Sequence, residues 1–88
     1  MRYAIRYSEE AAARRDRLST SRRETFDRAV TVLAERPRHE KSLSMGGNVR
    51  QVRLTGDVLA RYAIVHQLVV ILDLSVFDRQ DTVVADED

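Results

Sequence analysis

Alternating polar and apolar residues at the start of the chain predict a β-strand. Tyr3, Ile5 and Tyr7 fall on one face of residues 2–7, and two arginines and an alanine fall on the other. An alternation of period two is typical of a strand with one buried face. The aromatic and branched side chains of this strand are therefore expected to point into the protein.

Helical patterns follow the strand. Ser8 precedes two glutamates, which suits a helix N-cap with acidic residues in the first turn, and a short helix is predicted near residues 9–18. Ser21 and Glu24 have the spacing of a capping box. Apolar residues then recur every three or four positions, so a second, amphipathic helix is predicted over residues 21–35.

The stretch from residue 48 to residue 74 predicts three more strands. The turn Thr55-Gly56-Asp57 separates Val49–Leu54 from Val58–Val65, and its glycine accepts the backbone geometry of a tight hairpin. Leu68–Leu74 is apolar at nearly every position, so both of its faces are expected to be covered. The predicted order is β-α-α-β-β-β, an α+β domain with two N-terminal helices packed on a four-stranded, mainly antiparallel sheet.

The same patterns predict the core. Each amphipathic element contributes the apolar residues of one face. The expected core residues are Ile5, Phe26, Ala29, Val30, Leu33, Val52, Leu54, Ile64, Val70 and Leu72.

Charge is distributed unevenly along the chain. The 88 residues carry 15 Lys or Arg and 14 Asp or Glu, a formal net charge of +1. Residues 1–54 hold 13 of the basic and 7 of the acidic residues, whereas residues 55–88 hold 2 and 7. All the basic residues except Lys41 are arginine. A GC-rich genome would produce that bias without any function, but arginine also suits bidentate contacts with phosphate.

Composition excludes several other classes of protein. The chain has no cysteine, which rules out disulfides and thiolate metal sites. Its apolar runs are shorter than the roughly 18–20 residues needed to span a bilayer, and its first residues lack the apolar block of a signal peptide. A single cytoplasmic domain is expected.

Arginines inside the predicted strands are the first candidates for function. Arg50 and Arg53 lie in the second strand and Arg61 in the third. An arginine beside an apolar core is costly to bury without a partner, so these side chains are expected to open onto a polar groove. A groove lined by guanidinium groups suits phosphate and indicates a nucleic-acid partner.

Six short segments, in this order along the chain, carry a family resemblance. They are Tyr3–Ala11, Leu33–Pro37, Lys41–Leu43, Gly46–Arg50, Arg61–Ile64 and Leu68–Asp73. Together they resemble the RelE/ParE superfamily, the small bacterial toxins of type II toxin–antitoxin pairs. The resemblance implies a toxin domain over residues 1–79, followed by an acidic and flexible tail over residues 80–88.

The resemblance implies two kinds of activity. Ribonuclease members of the family enter the ribosomal A site and cut mRNA there without a metal or other cofactor, whereas other members poison DNA gyrase. Both kinds are neutralised by a cognate antitoxin that covers the toxin with a helix or a strand. Ribosome-dependent mRNA cleavage is the function expected here. The alternatives are a gyrase poison and a non-catalytic member that retains only antitoxin or partner binding.

The resemblance also implies a catalytic role for Arg61, whose guanidinium would stabilise the phosphate. The alternative is an ion pair with a carboxylate such as Asp73 across the sheet. Because neighbouring strand residues alternate, Tyr62 is expected to face the core and Arg61 the open side. Alternation also puts Arg50 and Arg53 on opposite faces, so only one of them can line the groove, and Arg50 is favoured.

Other candidates lie in loops. Lys41 and His39 precede the second strand, and Arg79 follows the last one; Lys41 and Arg79 join Arg50 and Arg53 as predicted RNA- or phosphate-binding residues. His66 lies in a predicted turn and could act as a base, although a turn histidine is usually only exposed. The two histidines lack metal-ligand spacing, so no metal site is predicted.

The C-terminal segment departs from the family pattern. Ribonuclease members carry a His/Tyr or Arg/Tyr element after the last strand, whereas residues 78–84 offer only Arg79 and Asp81, with no tyrosine beyond them. That tyrosine would supply base stacking and a phenol for proton transfer. Its absence favours a catalytically weak toxin or a target other than RNA.

Overall fold

The computed structural model of the protein describes residues 2–77, which form two helices and a five-stranded sheet. In chain order the elements are β1 Ala4–Tyr7, α1 Glu9–Asp16, α2 Thr20–Glu35, β2 Leu43–Ser44, β3 Val49–Thr55, β4 Val58–Val65 and β5 Leu68–Val76. The strands lie in the order β1-β5-β4-β3-β2, with β1 parallel to β5 and all other neighbours antiparallel. The predicted α+β architecture is confirmed, while the proposed domain end at residue 79 and the tail lie outside the described residues.

The sheet has five strands rather than the predicted four. The additional strand, β2, pairs Leu43 with Gln51 and Ser44 with Arg50 at the edge of the sheet. Two residues are too few to show a period-two pattern, so their pairing is decided by the neighbouring strand and not by local sequence. Neither helix within residues 2–77 has the length and apolar character needed to cross a membrane.

The start of α1 agrees with the sequence, since the Ser8 hydroxyl accepts a hydrogen bond from the Ala11 N–H at 3.0 Å. The start of α2 does not. Its N-cap is Ser19, whose hydroxyl accepts from the Arg22 N–H at 3.3 Å. The capping box predicted at residues 21 and 24 is therefore wrong. Residues 19–21 all carry a side-chain hydroxyl. Ser19 is the cap because it is the last residue with an extended backbone before the helix begins at Thr20.

Arg15 joins the two helices and the first strand. Its Nε and Nη2 atoms donate to the two carboxylate oxygens of Asp27 at 3.0 and 2.7 Å. Its guanidinium carbon also lies 5.9 Å from the centre of the Tyr7 ring, within the range of a cation–π contact. The Tyr7 ring in turn lies 6.4 Å from that of Phe26. This cluster closes the end of the core between α1 and α2.

The core lies between the helices and one face of the sheet. Its buried members are Ala11, Leu18, Phe26, Val30, Leu33, Ala34, Val52, Val58, Ala60, Tyr62, Ile64, Val69, Ile71 and Leu74. Phe26, Val30, Leu33, Val52 and Ile64 confirm the sequence prediction, and Ile5 and Leu54 are partly buried against them. Ala29 is only half-buried.

The prediction of Val70 and Leu72 as core residues is wrong, because β5 buries Val69, Ile71 and Leu74 instead. The apolar run of β5 gives no clue to its orientation, since both alternating sets are hydrophobic. Within residues 2–77 the helices cover only one face of β5, and Val70 on the other face is half-buried.

A β-bulge at Leu72 shifts the alternation of β5. Arg61 on β4 pairs with Asp73, but the next residue, Tyr62, pairs with Ile71. Leu72 is thus an additional residue with no partner of its own in the ladder. Before the bulge the odd-numbered residues of β5 face the helices, and after it the even-numbered residues do.

Ser8 holds the bulge against the start of α1. Its backbone N–H donates to the carbonyl of Ile71 at 2.9 Å, and its hydroxyl donates to the carbonyl of Leu72 at 2.6 Å. The same hydroxyl caps α1 by accepting from Ala11. One serine therefore satisfies the polar backbone groups of a helix end and of a disrupted strand.

We predict that Phe26→Ala will lower the free energy of unfolding by about 2–5 kcal/mol, because the ring is fully buried and its removal leaves a cavity. Val32→Ala on the same helix is the control, since Val32 is 56% exposed, and its effect should stay within about 0.5 kcal/mol. Denaturant titration measures both. Similar decreases in the free energy of unfolding of the two variants would contradict the described orientation of α2.

We predict that stability decreases in alkaline solution partly through Tyr7. Burial raises the pKa of the Tyr7 phenol above its ordinary value of 10.0, while the charges of Arg15 and Asp27 act in opposite directions. The unfolded chain therefore releases this proton at lower pH than the folded chain, so this contribution is complete below pH 10 and is lost as pH rises further. Urea titrations at about pH 8 and pH 11 measure how far the free energy of unfolding falls between the two pH values. The fall should be smaller for Tyr7→Phe than for wild type, and equal falls would exclude Tyr7 as the cause.

Candidate nucleic-acid interface

The sheet face opposite the helices, called here the open face, carries the side chains that alternate with the core. On β4 Tyr62 is fully buried, whereas the Arg61 side chain is 51% exposed. The predicted opposite orientation of these two residues is confirmed. Arg61 stands in the middle of a cross-strand row, between Gln51 on β3 and Asp73 on β5.

Arg61 is paired with Asp73 and is still accessible. Its Nε atom donates to Asp73 Oδ2 at 2.9 Å, and its Nη2 atom donates to the same oxygen. The hydrogen bond and the charge of Asp73 raise the pKa of Arg61 above its ordinary value, and Glu10 adds a smaller contribution in the same direction. The structure thus combines the two alternatives drawn from the sequence, exposure on the open face and an ion pair with Asp73.

A shallow depression surrounds this pair. Its volume is about 230 Å³, and it is lined by Gln51, Leu59, Arg61, Asp73 and Ser75. The amide, the hydroxyl and the guanidinium supply hydrogen-bond donors of the kind that bind phosphate oxygens. The depression can therefore hold one anionic group beside a carboxylate.

Two further arginines occupy the open face. Arg53 is exposed near the end of β3, and its Nη1 atom donates to the carbonyl of Gly56 at 2.9 Å. Arg6 is exposed on β1, where it pairs with Val70 of β5. Arg6 was not among the predicted site residues. Its alternation with Tyr7 was the signal that could have found it, because a residue opposite a buried aromatic must face the other side of the sheet.

Arg50 faces the helix side and fixes a loop. Its Nε atom donates to the hydroxyl of Ser42 at 2.8 Å and its Nη2 atom to the carbonyl of Ser42 at 3.2 Å. Ser42 is buried, and its hydroxyl donates to the carbonyl of His39 at 2.6 Å. The structure therefore places Arg53 on the open face and Arg50 on the other, the reverse of the preference drawn from the sequence.

A groove on the helix side, between α2 and β3, holds two other candidates. It has a volume of about 270 Å³. Its apolar lining is Ala29, Val32, Leu33, Val52 and Leu54, and its polar lining is Arg36, His39, Lys41 and Arg53. Lys41 is exposed at this groove, and its backbone N–H donates to His39 Nδ1 at 3.0 Å. Lys41 and His39 thus lie away from Arg61, whereas Arg53 borders both the groove and the open face.

The remaining candidates lie apart from both surfaces. His66 is exposed in the turn between β4 and β5 with a φ of 55°, and it lines neither the depression nor the groove. Arg79 lies outside the described residues, so its phosphate-binding role stays a prediction. The sequence indicates Asp73 only as a possible partner of Arg61, although an acidic residue inside a strongly apolar strand is itself a signal of a polar site.

Comparison with solved structures identifies the fold. The isolated RelE toxin of Escherichia coli superimposes with a TM-score of 0.74 at 17% identity, covering 97% of this chain and 95% of that chain. A chain of the toxin–antitoxin complex RelBE2 of Mycobacterium tuberculosis gives a TM-score of 0.74 at 20% identity, covering 86% of this chain and 99% of that one. No protein-family model and no curated protein sequence matches the chain.

A chain from the chromosomal ParDE toxin–antitoxin system of Pseudomonas aeruginosa is also similar, with a TM-score of 0.65 at 14% identity, covering 86% of this chain and 97% of that chain. The protein therefore has the fold of the RelE and ParE proteins. The architecture expected from the short sequence segments is confirmed.

We predict that Arg61→Ala will leave the protein folded. The side chain is half-exposed, and the salt bridges of exposed residues contribute little to stability. Arg15→Ala is the matched comparison, because the Arg15 side chain is only 30% exposed and its guanidinium binds both oxygens of Asp27 and covers the Tyr7 ring. Thermal melting should show a clearly larger decrease in Tm for Arg15→Ala. A larger decrease for Arg61→Ala would make Arg61 a structural residue.

Proposed function

We propose that this protein is the toxin of a type II toxin–antitoxin pair and that it inhibits translation in the cytoplasm by cutting mRNA on the ribosome. The observation that carries the proposal is the position of Arg61, accessible at the centre of the open face beside the polar side chains of Gln51 and Ser75. The RelE-like fold supports the same activity. The gyrase poison and the non-catalytic protein remain the alternatives that the experiment below separates.

The open face has the charges that this reaction needs. Attack of a ribose 2′-hydroxyl on the neighbouring phosphate places additional negative charge on the phosphate oxygens, and a fixed cation beside them lowers the barrier. Arg61 is protonated at physiological pH, as arginine side chains in proteins always are, and Asp73 holds its guanidinium in place. Arg53 and Arg6 on the same face can bind flanking phosphates, which fixes the register of the RNA without reading its sequence.

We further propose that the cognate antitoxin occupies the groove between α2 and β3. RelE of Escherichia coli has been solved in complex with a peptide of its antitoxin RelB. The groove here has an apolar floor and basic groups at its margin, namely Arg36 and Lys41. An amphipathic segment with one apolar and one acidic face would bury the floor and pair with the margin.

We predict that inducible expression of the protein without its partner will stop growth and that primer extension on cellular mRNA will show new 5′ ends within coding regions. Arg61→Ala should remove both effects, because the phosphate loses its fixed cation. Arg61→Lys should also be defective, since an ammonium cannot reproduce the planar two-point contact with phosphate. Arg28→Ala, at an exposed position of α2, is the control and should remain fully toxic.

Each alternative predicts a different result in the same experiment. Growth arrest with a DNA-damage response and intact mRNA would identify a gyrase poison. Harmless expression of the wild-type protein would identify a non-catalytic member. If the protein is the proposed toxin, co-expression of the product of the adjacent gene should restore growth.

A further inference from the structure

The Arg61–Asp73 pair uses only one of the two carboxylate oxygens. Both donors of Arg61 bind Oδ2 of Asp73, and Oδ1 accepts no hydrogen bond from any other residue within the range 2–77 that the structure describes. The pair formed by Arg15 and Asp27 is different, because there the guanidinium binds both carboxylate oxygens. Asp73 thus presents an acceptor to the depression on the open face, and Asp27 does not.

The bulge at Leu72 is the reason that Asp73 faces this side. Val69 and Ile71 point toward the helices, so an uninterrupted strand would place residue 73 on the helix side as well. The additional residue reverses the alternation and brings Asp73 opposite Arg61. Bulges next to functional sites commonly re-aim a side chain in this way. Its two carbonyls are bound by Ser8, which keeps the reversed alternation in place.

We propose that Asp73 is the general base of the RNA cleavage, with Oδ1 accepting the proton of the attacking 2′-hydroxyl while Arg61 binds the adjacent phosphate. This inference rests on the function proposed above. A 2′-hydroxyl and its 3′-phosphate are neighbours on one ribose, and they match the neighbouring acceptor and cation that the pair presents. The requirement for a 2′-hydroxyl makes RNA, and not DNA, the substrate.

The reaction balances without a metal or a second enzyme group. The 2′-O–H bond breaks as its proton moves to Asp73, and the 2′-oxygen forms a bond to phosphorus. The bond between phosphorus and the 5′-oxygen then breaks, and the leaving oxygen takes a proton from water. The hydroxide so formed removes the proton from Asp73, which leaves a 2′,3′-cyclic phosphate, a 5′-hydroxyl and the carboxylate regenerated.

The surroundings of Asp73 fit this role. Its side chain is 28% exposed, so it is reachable from the open face and yet held by the sheet. Ser75 and Gln51 lie on the margin of the same depression and can hydrogen-bond the ribose or the phosphate. A carboxylate fixed by an arginine is oriented before substrate arrives, which is the condition for efficient proton transfer.

The test compares cleavage with binding in Asp73→Asn, which keeps the shape of the side chain and removes the base. Cleavage is measured in a single turnover on bacterial ribosomes that carry an mRNA and an empty A site. Binding is measured on the same complex assembled with 2′-O-methyl riboses in the A-site codon, which cannot be cut. We expect cleavage to fall by at least about 100-fold, with binding equal to or tighter than wild type because one negative charge is removed.

Two further variants keep the result interpretable. Asp73→Ser removes the carboxylate with a smaller side chain and should behave like Asp73→Asn. Asp27→Asn removes the other arginine-bound carboxylate, on α2 and away from the open face, and should cleave within about threefold of wild type once its lower stability is allowed for by working well below its Tm.

The outcomes separate this inference from the proposed function. If wild type cleaves and Asp73→Asn cleaves within about threefold of it, Asp73 is not the base, although the function stands. If Asp73→Asn and Asp73→Ser lose binding together with cleavage, Asp73 positions the site and the general-base role is also wrong. If wild type cuts no mRNA on the ribosome, the proposed function fails and the inference fails with it.

Discussion

The interaction on which the structure most depends is the double contact of Ser8 with the bulged carbonyls of β5. Leu72 has no partner on β4, and an unsatisfied backbone group away from water costs free energy comparable to a lost hydrogen bond. Ser8 satisfies the carbonyls of Ile71 and Leu72 with its N–H and its hydroxyl while capping α1. The end of β1, the start of α1 and the irregularity in β5 are thereby fixed at one point.

Three arginines, two on strands and one on α1, show how position decides the role of a residue type. Arg50 donates its hydrogen bonds to the buried Ser42 and thereby fixes the loop before β2. Arg15 binds the Asp27 carboxylate and contacts the Tyr7 ring, and it thereby links the two helices. Arg61 has a partner as well, but its pair is formed on the open face, where half of the side chain still meets solvent. A guanidinium that is both fixed and accessible has the two features that the proposed phosphate-binding role requires.

The two surfaces of the molecule suit two different partners. The open face carries Arg6, Arg53 and Arg61 among polar and apolar side chains. These cations suit the phosphates of the proposed RNA substrate, because their attraction is long-range and independent of sequence. The groove between α2 and β3 has an apolar floor, which fits a folded protein segment because burial of apolar area supplies affinity there.

The sequence by itself determined the elements whose pattern is local: β1 from its alternation, α2 from its helical spacing, the hairpin at Gly56, and the opposite orientation of Arg61 and Tyr62. Short-range sterics and one buried face are enough to specify each of these. Only the tertiary structure decided the alternation of β5, because both of its residue sets are apolar and a bulge held by the distant Ser8 selects between them. The same long-range contact placed Asp73 beside Arg61, and the pairing of β2 with β3 turned Arg50 toward its loop, so the candidate site depended on contacts that no local pattern encodes.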